Sequence, residues 1–231
     1  MELSKRLQAV ANLVSDGMRV ADVGTDHGYI PIYLMKTGKS PSVIAMDINR
    51  GPLLRAQEHI ALYNFQIETR LSDGVNQLNV GEVDCVVIAG MGGALTIKIM
   101  EEGQAVFRNL KEFVLQPQSE IFKVRQYLCE NQYKVVQEDM ILEDGKYYPM
   151  MKVINDCATA YDKIECRFGK LLLEQAHPIL RQFLQKEWKK RQLILENLEK
   201  ESGTHILARK EEIQDELEEI TYALQRYYGN D

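Results

Sequence analysis

"RVADVGTDHGYIPIYL", Arg19 to Leu34, decides how the rest of the chain is read. An apolar run ends in Asp22, turns on Gly24 and meets Gly28 before an apolar helical pattern begins. A glycine placed just after a strand lets the backbone turn tightly and lets a ligand approach it. The spacing is G-x-x-x-G, not the G-x-G-x-x-G of dinucleotide sites, and no Lys or Arg lies between Gly24 and Lys36. A pyrophosphate would therefore meet backbone amides alone. The turn carries acids instead, Asp22 and Asp26. They either suit a ligand bearing positive charge or cap the helix that follows.

Outward from this turn, strand-like and helix-like segments alternate. Apolar, β-rich runs occur at 18–24, 42–47, 83–90 and 112–118, with a shorter one at 65–73. Helical patterns occupy 28–38, about 50–63, 94–109 and 119–131. Near-continuous apolar strands separated by helices predict right-handed βαβ units and a parallel sheet covered on both faces. The pattern then changes: 133–154 reads as two strands around Asp144-Gly145, a strong hairpin signal. A Rossmann-like sheet that ends in an antiparallel hairpin resembles the class I methyltransferases, whose donor is S-adenosylmethionine. That donor carries a sulfonium and an α-ammonium and no phosphate, which matches the acids of the turn.

From about residue 156 the strand signals stop. The stretches 168–200 and 210–228 are helical, joined through "ESGTH", and Pro178 kinks or begins a helix. Leu184, Trp188, Arg191, Leu195 and Leu198 step by four and three, as nearly do Ile213, Leu217, Ile220 and Leu224. An antiparallel, coiled-coil-like helical hairpin is expected. The fold class is thus α/β, with a catalytic domain at 1–155 and an all-α domain at 156–231.

The 231 residues, 45% hydrophobic and 27% charged, read as a soluble globular chain. No apolar run reaches the roughly 18 residues of a membrane span, and the N-terminus lacks a signal-peptide core. A cytoplasmic protein with no membrane partner is expected, and a monomer. The net charge of −6 excludes a protein that coats nucleic acid indiscriminately, but not one with a local basic face. Cys85, Cys129, Cys157 and Cys166 form no C-x-x-C pair, so buried, reduced thiols are expected and no metal.

Acids recur at the strand ends. Asp47 closes the second strand, where it can bond the ribose hydroxyls of an adenosine or cap the next helix. "LSDG" closes the third, and Asp73 there can accept from an adenine amino group. Three acids at three successive strand ends are more specific than any one. The fourth strand ends in "AGMGG": Gly90, Gly92 and Gly93 give either a side-chain-free edge for a flat ligand or a tight strand-to-helix turn. The Asn/Asp-Pro-Pro-Tyr pattern of exocyclic-amine methyltransferases is missing there. In "LQPQ", Gln116 and Gln118 flank Pro117 and either read a base edge or bond backbone.

"LSKRL", "VADVGTDHGYIPIYL", "MDINRGPL", "LSDG", "IAGMGG" and "LQPQ" together resemble the bacterial tRNA (adenine-22-N1)-methyltransferase family over essentially the whole chain. Gly28 stands where Ala is common and Gln118 where Asn is common. The resemblance implies methyl transfer from S-adenosylmethionine to N1 of one tRNA adenine. It places Asp22, Gly24, Thr25, Gly28, Asp47, Ile48, Asp73, Gly74, Gly90, Met91 and Gly92 at the cofactor. It places Asp26, Tyr29 and His27 at the reacting base, His27 being either a substrate contact or a structural histidine. The tRNA would meet Lys5, Arg6, Gln116, Pro117 and Gln118, and a basic run on the first long C-terminal helix: Lys186, Lys189, Lys190 and Arg191. That run is otherwise a solvated face opposite an acid-rich partner helix. Two further readings fit the fold: a methyltransferase acting on a small molecule or protein, and a non-catalytic nucleotide-binding scaffold.

Overall fold

In the computed structural model, residues 3–157, 160–198 and 204–229 are described. They form two compact units, Met1–Tyr161 and Asp162–Asp231. The first unit holds seven strands: β1 (Val20–Val23), β2 (Val43–Asp47), β3 (Glu68–Leu71), β4 (Cys85–Met91), β5 (Glu112–Pro117), β6 (Tyr133–Glu143) and β7 (Lys146–Asn155). Their order in the sheet is β3-β2-β1-β4-β5-β7-β6. The first five are parallel, and β7 runs antiparallel to both β5 and β6. The chain reverses direction in the sheet between β3 and β4, so the carboxyl ends of β1 and β4 flank a crevice where ligands bind in open α/β sheets. β1, β2 and β5 are buried along their whole length, as their unbroken apolar runs require. Asp144 and Gly145 take φ values of 50° and 74°, the left-handed pair that a two-residue hairpin needs.

The helices are α1 (Lys5–Leu13), α2 (Tyr29–Lys36), α3 (Arg50–Ala61), α4 (Gly93–Glu102), α5 (Gln104–Phe107) and α6 (Ile121–Glu130). The pattern at 94–109 predicts one helix, but the chain breaks it at Gly103. A Cβ there would lie 2.1 Å from Val75 Cγ2, so packing admits only glycine. No expectation covered α1. It is capped by Ser4, whose Oγ accepts from the Leu7 N–H. Beyond its end, the Ser15 N–H and hydroxyl both donate to the buried Glu112 on β5. α6 is fastened to β6 by a buried ion pair, Arg125 with Glu138 at 2.8 Å.

The second unit holds α7 (Lys163–Phe168), α8 (Lys170–Glu174), α9 (Pro178–Leu198) and α10 (Thr204–Tyr228). The single helix expected over 168–200 is interrupted, because Gly169 (φ 97°) and Ala176 (φ 48°) leave helical space. Pro178 begins α9, the position where its missing N–H costs nothing. α9 and α10 run antiparallel, with Trp188 bonded to Thr221 and Arg191 to Glu216. Leu184, Ile213, Leu217, Ile220 and Ala223 are buried within this unit, whereas Leu195, Leu198 and Leu224 are half-buried. The joining residues 201–203 of "ESGTH" lie outside the described residues. Among the cysteines, none of which forms a disulfide among the described residues, Cys85 and Cys166 are buried. Cys129 is half-buried and Cys157 exposed, so burial holds for two of the four expected. No helix of the described residues is long and apolar enough to cross a membrane.

Candidate active site

The turn after β1 is pinned to β2, for the N–H groups of Gly24 and Thr25 both donate to Met46 O at 2.8 and 2.9 Å. Gly24 takes φ 75° and Gly28 φ 70°, and Asp26 between them is also left-handed at φ 50°. The left-handed φ is what favours glycine at residue 24, and the Met91 Cε rests against its bare face, 2.2 Å from where a Cβ would stand. Asp22 sits beneath this turn, 3% exposed, with one carboxylate oxygen accepting from Thr25 Oγ1 at 2.7 Å. Burial pushes its carboxyl up to about 7; the Thr25 hydrogen bond opposes this and the charge of Asp47 adds to it. A buried carboxyl with a raised pKa at the edge of a cleft is a candidate functional group.

Two cavities meet at Gly24. One, of about 230 Å³, has apolar walls from Ile48, Met91, Leu95 and Ile99 and an acidic rim from Asp47 and Asp73. Ile48 is 57% exposed at the strand end, an apolar platform open to solvent. Asp47 is held by the Asn49 N–H at 2.8 Å and, more weakly, the Asp26 N–H at 3.4 Å. Gly74 (φ 54°) lets the loop pass Ile99 Cγ2, 3.0 Å from a notional Cβ. The second cavity, about 220 Å³, is lined by Asp22, Thr25, Asp26, His27, Tyr29, Arg6, Gly90 and Gln118.

In that second cavity Asp26 is exposed and meets Arg55 Nη2 at 3.2 Å, with His27 Nε2 3.5 Å away. His27, Tyr29 and His59 form a triangular ring cluster, each pair 5.4 Å apart. His59 Nδ1 lies 3.0 Å from His27 O, and the buried His27 Nδ1 lacks a hydrogen-bond partner. Gly90 (φ 81°) forms a bulge between β4 and β5, and its open face is bounded by Arg6 and Gln118. Gly93 instead lies against Ser119 O, 2.5 Å from a notional Cβ. The "AGMGG" stretch thus combines both alternatives, an open edge at Gly90 and a tight turn at Gly93.

The remaining expected residues are distributed unevenly. Gln116 is fully buried, its Oε1 accepting from Arg6 Nη1 (2.9 Å) and the Gly90 N–H (3.2 Å). Its side chain therefore bonds protein atoms and not a base. Pro117 is buried, while Gln118 is exposed at the cavity. Lys5 is exposed away from the cavity lining, its N–H bonded to Glu143. Thr25 reaches Asp22 directly, and Gly92 is the residue before α4. On α9, Lys186, Lys189 and Lys190 are exposed, but Arg191 is held between Glu187 and Glu216. Sequence reasoning missed Arg55 and His59 on α3 and Leu95 and Ile99 on α4. The helix patterns placed those helices, but only the packed turn shows which faces look into the crevice. Among the described residues no group of three or more His, Cys, Asp or Glu can hold a metal ion.

A doubly wound sheet closed by a hairpin, with acids at its strand ends and an open glycine turn, defines a Rossmann-like methyltransferase. A model of the methyltransferase domain matches residues 3–151. The Bacillus subtilis (strain 168) tRNA (adenine(22)-N(1))-methyltransferase is 36% identical over 175 residues, covering 74% of each chain. Streptococcus pneumoniae Sp1610, solved in complex with S-adenosyl-L-methionine, matches with TM-score 0.86 and 30% identity, covering 96% of this chain and 100% of that one. M. capricolum TrmK, solved with S-adenosyl-homocysteine, matches with TM-score 0.83 and 26% identity over 96% and 98%. The chain belongs to the tRNA (adenine(22)-N(1))-methyltransferase family.

The raised carboxyl of Asp22 has a sign that stability reveals. Because its folded pKa of about 7 exceeds the ordinary 3.8, the folded state holds a proton that the unfolded state has lost. The stability this lends is full below pH 4 and falls away as pH rises through 7. Asp22→Asn should remove about 1 kcal/mol of the stability lost between pH 6 and 8. Urea unfolding of ligand-free protein at both pH values checks this; an identical loss in the variant contradicts it.

Proposed function

We infer that this chain transfers a methyl group from S-adenosylmethionine to N1 of adenine 22 in tRNA. One observation carries the reading: an acid-rimmed apolar cavity and a polar cavity meet at Gly24, in a chain of this family. The residues fit the donor. Asp47 and Asp73 suit ribose and adenine, Ile48, Leu95 and Ile99 suit the faces of the base, and Asp22 suits the cationic methionine end. Thr25, Gly28, Gly74, Gly90, Met91 and Gly92 shape that cradle. When bound, S-adenosylmethionine supplies an electrophilic methyl group on positively charged sulfur.

The protein's own task is alignment. Adenine N1 has an in-plane lone pair, so no proton must leave before it attacks. Holding that lone pair in line with the methyl group can supply roughly 7–11 kcal/mol of the barrier. The methylated ring becomes positive, and Asp26 in the polar cavity is placed to stabilise the charge as it develops. Tyr29 and His27, within one ring cluster, offer a wall for the base to stack on. Arg6, braced by Gln116, and Gln118 close the opposite side. An adenine in folded RNA must be turned out of its stack to enter, which a cavity of this size demands.

We take the first unit, Met1–Tyr161, as the catalytic domain expected over 1–155, and the second, Asp162–Asp231, as the arm expected over 156–231, which holds tRNA through Lys186, Lys189 and Lys190, with Lys5 adding charge near the N-terminus. Arg191, neutralised by two glutamates, is a structural part of that arm. The reading is of a cytoplasmic enzyme that acts as a monomer.

Two outcomes are expected. Mass mapping should find 1-methyladenosine at position 22 of a tRNA transcript, and none when that adenine is replaced by guanine. On the same substrate, Asp26→Ala should lower kcat by about 100-fold while calorimetric donor affinity changes little; normal turnover removes Asp26 from the chemistry. Separately, Lys189→Glu with Lys190→Glu should weaken tRNA binding and reduce its salt slope by about 2, leaving donor affinity unchanged. Unaltered tRNA affinity would remove α9 from the RNA interface.

A further inference from the structure

The helical unit carries a groove that neither the methyl donor nor the target adenine uses. It lies between α9 and α10, about 280 Å³ in volume, and Trp188 forms one wall. The indole is 36% exposed, and its Nε1–H donates to Thr221 Oγ1 at 3.1 Å, which fixes the plane of the ring. Leu224 lines the groove beside it, and the amides of Gln185 and Gln225 are exposed at its edge. A rigid aromatic face flanked by amides has the chemistry that recognises an unpaired base. The ring stacks, and each amide offers both a donor and an acceptor to a base edge.

The distribution of charge selects the occupant. Acids crowd the middle of α10, at Glu211, Glu212, Asp215, Glu216, Glu218 and Glu219, and none occurs from Thr221 to Gly229. On α9 none occurs between Pro178 and Lys186 either. These two acid-free stretches are the ones that build the groove, together with Trp188. The nearest acid on α9, Glu187, is neutralised by Arg191. Arg181 lines the groove, and Lys189, which follows Trp188 and stands one helical turn beyond Gln185, is exposed. A phosphate attached to a base in the groove would therefore meet positive charge and no uncompensated acid from this end of the hairpin.

We propose that the Trp188 groove is a second nucleobase site, binding one unpaired nucleotide of the tRNA by stacking on the indole while Lys189 faces its phosphate. The proposal deepens the tRNA reading above and rests on it. The volume suits a single nucleoside, below the range of larger ligand pockets. Because the site sits in the arm and not in the catalytic crevice, it acts on tRNA affinity and leaves donor binding untouched.

Trp188 is the only tryptophan in the chain, so the site reports on itself. Titrating the full-length protein with unmodified tRNA should quench indole fluorescence with the same midpoint as a gel-shift titration. Trp188→Ala should weaken tRNA binding about tenfold, as expected for the loss of one base stack, and Trp188→Phe should restore most of it. S-adenosylmethionine affinity should match the parent in both variants. Gln185→Ala with Gln225→Ala, which keeps the ring, should weaken binding to a lesser degree. If tRNA binds and is methylated while fluorescence stays constant and Trp188→Ala binds normally, the groove is not a nucleotide site, and the methyltransferase reading stands. A groove that serves a protein partner gives that same result and overturns the proposal. Absence of any methylation of tRNA by the unaltered chain would instead overturn the reading on which the proposal rests.

Discussion

A carboxylate buried at the end of the central strand without a cation beside it is the constraint around which this molecule is organised. Asp22 has given up water for one hydroxyl, and a second acid, Asp47, lies close enough to raise its pKa further. Such a group is costly in a protein that has no use for it. It becomes favourable once a positive ligand arrives. The same sheet geometry that buries Asp22 brings Asp47 and Asp73 to neighbouring strand ends, so negative charge converges on one crevice from three loops.

The glycines follow from this. Gly24 must turn left-handed above Asp22, and the Met91 methyl rests against its bare face. Gly90 does the corresponding work on β4, giving up regular pairing at a bulge so that Arg6 and Gln118 border open space. Gln116 shows how a buried polar group supports an exposed one. Its amide oxygen holds both the bulge and the guanidinium, which makes it a positioning residue behind the cavity wall.

Much of this was legible in the sequence, for identifiable reasons. The parallel sheet showed through because strands covered on both faces must be apolar along their length. The hairpin showed through because Asp144-Gly145 accepts the left-handed angles of its turn. The acids at the strand ends could be aligned because each strand was located. What could not be read depends on packing. The break at Gly103 arises from the approach of Val75, which no local pattern records. Arg55 and His59 reach Asp26 and His27, which line the cavity, only because α3 presents that face toward them. Gln116 and Gln118 look alike in "LQPQ", yet Gln116 lies within the fully buried β5 and Gln118 stands past its end, exposed. Arg191 reads as a free cation until α10 brings Glu216 against it.

If Asp22 is held partly protonated for a cationic ligand, binding S-adenosylmethionine must expel that proton. Calorimetry at pH 6.5, in two buffers of different ionisation enthalpy, measures the proton directly, since an α-ammonium is fully protonated there. Net release of roughly half a proton or more per site is predicted, and Asp22→Asn should abolish it. Binding enthalpies identical in both buffers would contradict the account.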